Sequence, residues 1–73
     1  MPARLRDIRR AAKDYGVEIA EPSKGSHWKC TRPGTRNYPI PAHNGLKTEI
    51  DDKYISAMCK HFGVDEVDFR SKL

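Results

Sequence analysis

Apolar residues recur every three or four positions at the start of the chain. Leu5, Ile8, Ala12 and Tyr15 fall on one side of a helical wheel, with Arg6, Arg9, Arg10 and Lys13 on the other. That period predicts an amphipathic helix over 4–15, stopped by Gly16. The pattern then changes to alternation. Val17-Glu18-Ile19-Ala20 reads as a first strand, and Ser26 to Arg32 as a second. In the second, Trp28 and Cys30 point one way while His27, Lys29 and Thr31 point the other. Arg32-Pro33-Gly34-Thr35 carries Pro and Gly at the two central positions of a type II turn. Tyr38 and Ile40 share a face of a third strand. Pro39 and Pro41 donate no ladder hydrogen bonds, so this strand is expected at a sheet edge.

Residues 42–50 read as a polar loop containing Asn44-Gly45. Asp51 is placed to cap a second helix, with Asp52 in its first turn, where acids suit the helix dipole. Ile55, Met58, Cys59 and Phe62 form its buried stripe and Gly63 ends it. Asp65 is placed to cap a last short turn carrying Val67 and Phe69. The expected fold is α+β in the order α-β-β-β-α. It is a three-stranded antiparallel meander with both helices on one face, leaving His27 and Lys29 on the open face.

Composition bounds this picture without changing it. The chain has 73 residues, 37% hydrophobic and 33% charged, which describes one small globular domain. A chain this short buries only about 60% of its unfolded surface, so its core is thin. No apolar run approaches the roughly 18–20 residues of a membrane-spanning helix. Met1 to Arg10 holds four arginines and no apolar stretch, so neither a secretory signal nor a membrane partner is expected, and a cytoplasmic location is. In that compartment Cys30 and Cys59 are expected as free thiols.

Charge changes the picture once it is located. Residues 1–21 hold five basic and four acidic residues, and residues 48–73 hold four and six. Residues 22–47 hold Lys24, Lys29, Arg32, Arg36 and Lys47 with no acid, so the formal net charge of +4 arises from this segment. It also contains His27, His43, Trp28 and Tyr38. A localised basic surface attracts polyanions by neutralising phosphates and releasing counterions. Solvated lysines are the plain alternative. Trp28 and Tyr38 could stack bases, but their inward alternation favours the core. The Cys and His spacings match no zinc-finger pattern, and both cysteines fall on buried stripes, so no metal is expected.

Lys24-Gly25-Ser26-His27-Trp28-Lys29 opens the second strand, and Tyr38-Pro39-Ile40-Pro41-Ala42-His43 closes the third. With the polar loop and the helix ending at Gly63 that follow, the chain resembles HicA-type toxins from about Leu5 to Gly63. These are the RNase half of HicBA toxin–antitoxin pairs, with a fold like the double-stranded-RNA-binding domain. The resemblance implies one HicA-like domain over 1–73, whose residues 64–73 extend beyond the family's usual end without an assigned role. It implies a cofactor-free and metal-independent endoribonuclease acting on mRNA with His27 as catalytic residue, a HicB-type antitoxin as protein partner, and a monomeric free toxin. Trp28 stands where the family pattern can carry a second histidine.

The chemistry agrees with that implication. Metal-free RNA cleavage uses the 2′-hydroxyl as nucleophile, and an imidazole titrates near the working pH. Lys29, on the same face, is placed to stabilise the phosphorane. Gly25 would allow close approach of the RNA backbone, with Lys24 and Ser26 holding phosphate. Arg32, Arg36, His43 and Lys47 complete the candidate RNA contacts. His43 is also a lesser candidate for a second acid or base, the alternative being a solvated loop histidine. His61 reads as a cation near a helix C-terminus. Glu49, Asp51 and Asp52 occupy the helix start that grips duplex phosphates in double-stranded-RNA-binding domains, which favours single-stranded RNA. A non-catalytic RNA-binding module and an adaptor for an acidic protein remain the alternatives.

Overall fold

The computed structural model describes residues 1–73. Its elements run β1 (Ala3–Arg4), α1 (Leu5–Ala12), β2 (Glu18–Ala20), β3 (His27–Arg32), β4 (Thr35–Pro41), β5 (Glu49–Ile50), α2 (Asp52–Phe62) and α3 (Glu66–Ser71). A 3₁₀ turn over Lys13–Tyr15 carries α1 into Gly16, and another spans Gly45–Lys47. Strands β2, β3 and β4 form an antiparallel sheet in that spatial order, so β3 is central and the proline-bearing β4 is an edge. The expected α-β-β-β-α layout is therefore present, framed by two further pieces.

The sheet is buried on one side only. Ile19, Trp28, Cys30 and Ile40 enter the core from the strands, Leu5, Ile8, Ala11 and Ala12 from α1, and Ile55, Met58, Cys59 and Phe62 from α2. Both helices thus cover the same face. Arg32 pairs with Thr35 across the Pro33-Gly34 turn, where Gly34 takes the positive φ of 80° that a type II turn requires. Tyr38 is half-buried at the margin of the core, less enclosed than its alternation suggests.

Two expectations need correction. The segment 42–50 is not simply a loop: after the 3₁₀ turn, β5 pairs with β1 in a two-stranded antiparallel ladder, Ala3 opposite Ile50 and Arg4 opposite Glu49. A two-residue strand has no periodicity to read, so only its partner reveals it. Asp51 occupies the N-cap of α2, but its side chain makes no capping bond. Residues 64–73, which had no assigned role, form the expected Asp65-capped helix and add to the core. Asp65 caps α3 by accepting from the amides of Val67 and Asp68, and Phe69 is 1% exposed within the core, whereas Val67 is 81% exposed.

A polar network ties α3 to both ends of the fold. Arg70 donates to Glu66 at 2.8 Å, to Asp52 at 3.1 Å and to the Met1 carbonyl at 3.2 Å. Asp52 also receives the N-terminal ammonium at 2.7 Å, and Glu66 receives the Ser56 hydroxyl at 2.8 Å. These contacts hold the carboxyls below their usual range, through the N-terminal ammonium first and then Arg70 for Asp52, and through Arg70 first and then Ser56 for Glu66. Tyr15 reaches across to Asp68, which pushes the phenol up through that hydrogen bond.

Phe69→Ala is expected to destabilise the fold by about 3–5 kcal/mol, against under about 0.5 kcal/mol for Val67→Ala, read from urea melts. A native carboxyl held low stabilises the fold above its unfolded pKa and loses that contribution as pH falls through the native one. Stability is therefore expected to be level from neutrality down to about pH 5 and to fall below about pH 4. In Arg70→Ala the acid-side loss should be smaller, as followed by thermal melts across pH.

Candidate functional site

Strand β3 has partners on both sides, so its side chains alternate strictly between the core and the open face. Trp28 and Cys30 are 4% and 0% exposed, and His27 and Lys29 are exposed. His27 lies opposite Pro41, and Lys29 lies between Ala20 of β2 and Pro39 of β4. Short or rigid neighbours leave both polar side chains uncovered. Two residues along a strand is about 7 Å, within reach of one phosphate and its neighbour.

The turn before β3 sets the position of His27. Gly25 has φ 80°, a left-handed conformation that L side chains avoid, and a Cβ there would meet nothing within 4 Å. The turn is therefore both conformationally restricted to glycine and open to solvent. Lys24 is exposed beside it. Ser26 accepts a backbone hydrogen bond at 2.7 Å from Ala42, so the β3–β4 pairing continues one step beyond β4.

That extra step places His43. Ile40 and Ala42 are buried, Pro41 is partly exposed, and His43 is exposed at the start of the turn that follows β4. With His27 opposite Pro41 and Ser26 bonded to Ala42, His43 follows two residues after the cross-strand partner of His27, at the same end of the sheet. Two residues of extended chain span about 7 Å, which keeps the two histidines in one neighbourhood. The segment that follows is fastened: the Asn44 amide donates to the Thr48 hydroxyl at 2.9 Å, and the Leu5 amide donates to the Thr48 carbonyl at 2.9 Å. Lys47 is exposed on the same tightened turn.

The acid-free segment does not form one patch. Arg32 and Arg36 sit at the far tip of the β3–β4 hairpin, roughly 16 Å along the strand from His27. Arg32 is half-buried, with its guanidinium over the Phe62 ring, 5.7 Å from the centroid, on the helix side of the sheet. A register shift between Cys30 and Arg32 turns the strand there. His61 donates from Nε2 to the Arg36 carbonyl at 2.7 Å and packs against Tyr38 and Phe62. From the last turn of α2, where it was expected, it pins the hairpin tip to that helix. Lys24, Lys29 and Lys47 are the cations left at the histidine end.

The carboxylates are also sorted. Asp52 is engaged by the N-terminus and Arg70, while Glu49 and Asp51 line a depression of about 180 Å³ with Pro41, His43 and Tyr54. Two larger depressions, of about 620 and 640 Å³, lie beside α1 and β2 and beside the N-terminus, away from both histidines. His27 and His43 stand on an open surface, which suits a polymer more than a small molecule.

The thiols take no part in this face. Burial pushes Cys30 up to about 12 and Cys59 up to about 11, so both stay protonated. No three His, Cys, Asp or Glu side chains are grouped to hold a metal ion. The fastening role of the Thr48 hydroxyl was not read from the sequence, although Thr in a loop is a frequent backbone-bonding residue.

No family model matches the chain, and neither does any curated protein or solved structure.

Arg32→Ala is expected to lower stability by about 0.5–1 kcal/mol through loss of the Phe62 contact, and Arg36→Ala to leave it unchanged. Gly25→Ala should cost about 1–2 kcal/mol from backbone strain alone. Chemical denaturation of the three variants checks both statements.

Proposed function

We propose that the chain is a metal-independent endoribonuclease cleaving single-stranded mRNA, the toxin half of a HicBA-type pair, with His27 as its catalytic residue. The observation that carries this reading is the exposure of His27 beside Lys29 on the uncovered face of the sheet, next to the open Lys24-Gly25-Ser26 turn. The resemblance of the Gly25-Ser26-His27 and Pro41-Ala42-His43 segments to HicA-type toxins supports the same reading.

The chemistry requires little more than this surface supplies. The RNA backbone lies along β3, with phosphates on Lys24, Ser26 and Lys29. The 2′-hydroxyl attacks the adjacent phosphorus, and His27 transfers a proton to or from the reacting oxygens. Lys29 offsets the charge that builds on the phosphorane oxygens. The products are a 2′,3′-cyclic phosphate and a 5′-hydroxyl end. Glu49 and Asp51 repel a second strand of phosphates, which favours single-stranded substrates. A HicB-type antitoxin would act by covering the open face, and the site of action is the cytoplasm.

In purified form the protein should cleave RNA in the presence of EDTA, and His27→Ala should slow cleavage by about 10²–10⁴-fold with RNA affinity retained. Lys29→Ala should weaken RNA binding and flatten its dependence on log salt by about one unit. Induced expression of the wild type should arrest growth and that of His27→Ala should not. If wild type and His27→Ala bind RNA equally and neither cuts it, the face is a non-catalytic RNA-binding module.

A further inference from the structure

We propose that His43 is the second proton-transfer residue of this site, paired with His27 in a two-histidine acid–base cleavage. The inference rests on the reading of the open face as a ribonuclease site, and its carrying observation is the strand register. Ala42 bonds to Ser26, one step beyond the His27–Pro41 pair, and the next residue, His43, is exposed at the start of the following turn, at the His27 end of the sheet.

An in-line displacement puts the entering 2′-oxygen and the leaving 5′-oxygen on opposite sides of phosphorus. Base and acid must therefore flank the phosphate, each within about 2.6–3.2 Å of its own oxygen. A histidine two residues past the cross-strand partner of His27, about 7 Å of chain, is near enough for two imidazoles to flank one phosphorus. One imidazole takes the 2′ proton as the O2′–P bond forms. The other, entering protonated, gives its proton to O5′ as the P–O5′ bond breaks. The two histidines end with exchanged protonation states, which solvent resets.

No other group on this face fits the second role. A lysine ordinarily titrates at about 10.4 and carboxylates near 4, both far from neutrality. Cys30 and Cys59 are buried, and His61 is bonded to the Arg36 carbonyl on the helix side. His43 does not swing freely, because Ala42 before it and Asn44 after it are both held by hydrogen bonds. The titratable groups beside the pair are Lys24 and Lys29, which flank His27 along the chain, and Glu49, Asp51 and Tyr54, which line one depression with His43.

The test uses the full chain, an oligoribonucleotide spanning a mapped cleavage site, and the same oligonucleotide with sulfur in place of the 5′ leaving oxygen. A thiolate leaves without protonation, so it bypasses the general acid. With the natural linkage, the wild type should give a bell-shaped pH profile of kcat. His27→Ala and His43→Ala should each lose about 100-fold or more in kcat with little change in KM, and each should lose one limb of the bell. The sulfur substrate should restore one of the two variants and leave the other slow. His43→Gln should behave as His43→Ala, with circular dichroism confirming that each variant is folded. The proposal is overturned if His43→Ala cuts within about threefold of wild type, changes only KM, keeps both limbs, or if sulfur rescues neither variant. A wild type that cuts no RNA overturns the nuclease reading as well, so the two failures are distinguishable.

Discussion

A central strand in a sheet covered on one side can bury only every second residue. In β3 those places belong to Trp28 and Cys30, and the core cannot release them without losing its contacts with both helices. His27 and Lys29 are held outward by the same constraint. Their exposure is thus a consequence of packing, as firm as the core itself. A register slip of one residue would invert the strand, putting a histidine and a lysine into an apolar interior. The open face therefore depends on how well the other face is filled.

In so small a domain the filling cannot come from the α-β-β-β-α unit alone. Phe69 brings a large aromatic ring from α3 into the shared core, and Arg70 links Asp52, Glu66 and the Met1 carbonyl in one network. The β1–β5 ladder closes the fold on the same side as the N-terminus. The consequences reach the site: β5 continues directly from the segment fastened by Thr48, so the ladder also limits where His43 can lie. Asp52 is taken up by this network. Glu49 and Asp51 are the acids left beside His43.

The basic segment serves two ends. At the hairpin tip, Arg32 covers Phe62 and the Arg36 carbonyl receives His61, so these residues join the sheet to α2. At the other end Lys24 and Lys29 flank His27 along the chain, and Lys47 is exposed on the turn after His43. An extended anion on this face would meet its cations along the β3 start and the 43–47 turn. The structural and the ligand-facing uses of positive charge are separated by the length of the strand.

Much of the fold was legible in the sequence. Helical spacing marked α1 and α2, alternation marked β2 and β3, Pro33-Gly34 marked the turn, and Pro39 with Pro41 marked the edge. These signals are local, and a short period suffices to read them. The orientation of His27, Lys29, Trp28 and Cys30 was legible for the same reason. What local pattern could not show depends on distant partners. Pairing of β1 with β5 joins residues some 47 apart. Burial of Phe69 rather than Val67 requires knowing where the core lies. Arg32 looked like any exposed cation until Phe62 appeared beneath it, and the Ala42–Ser26 bond that brings the His43 turn to the His27 end of the sheet depends on register. Alternation by itself determined that His27 faces outward. Only the tertiary structure decided what stands around it, because cross-strand neighbours are chosen by register and not by proximity in the chain.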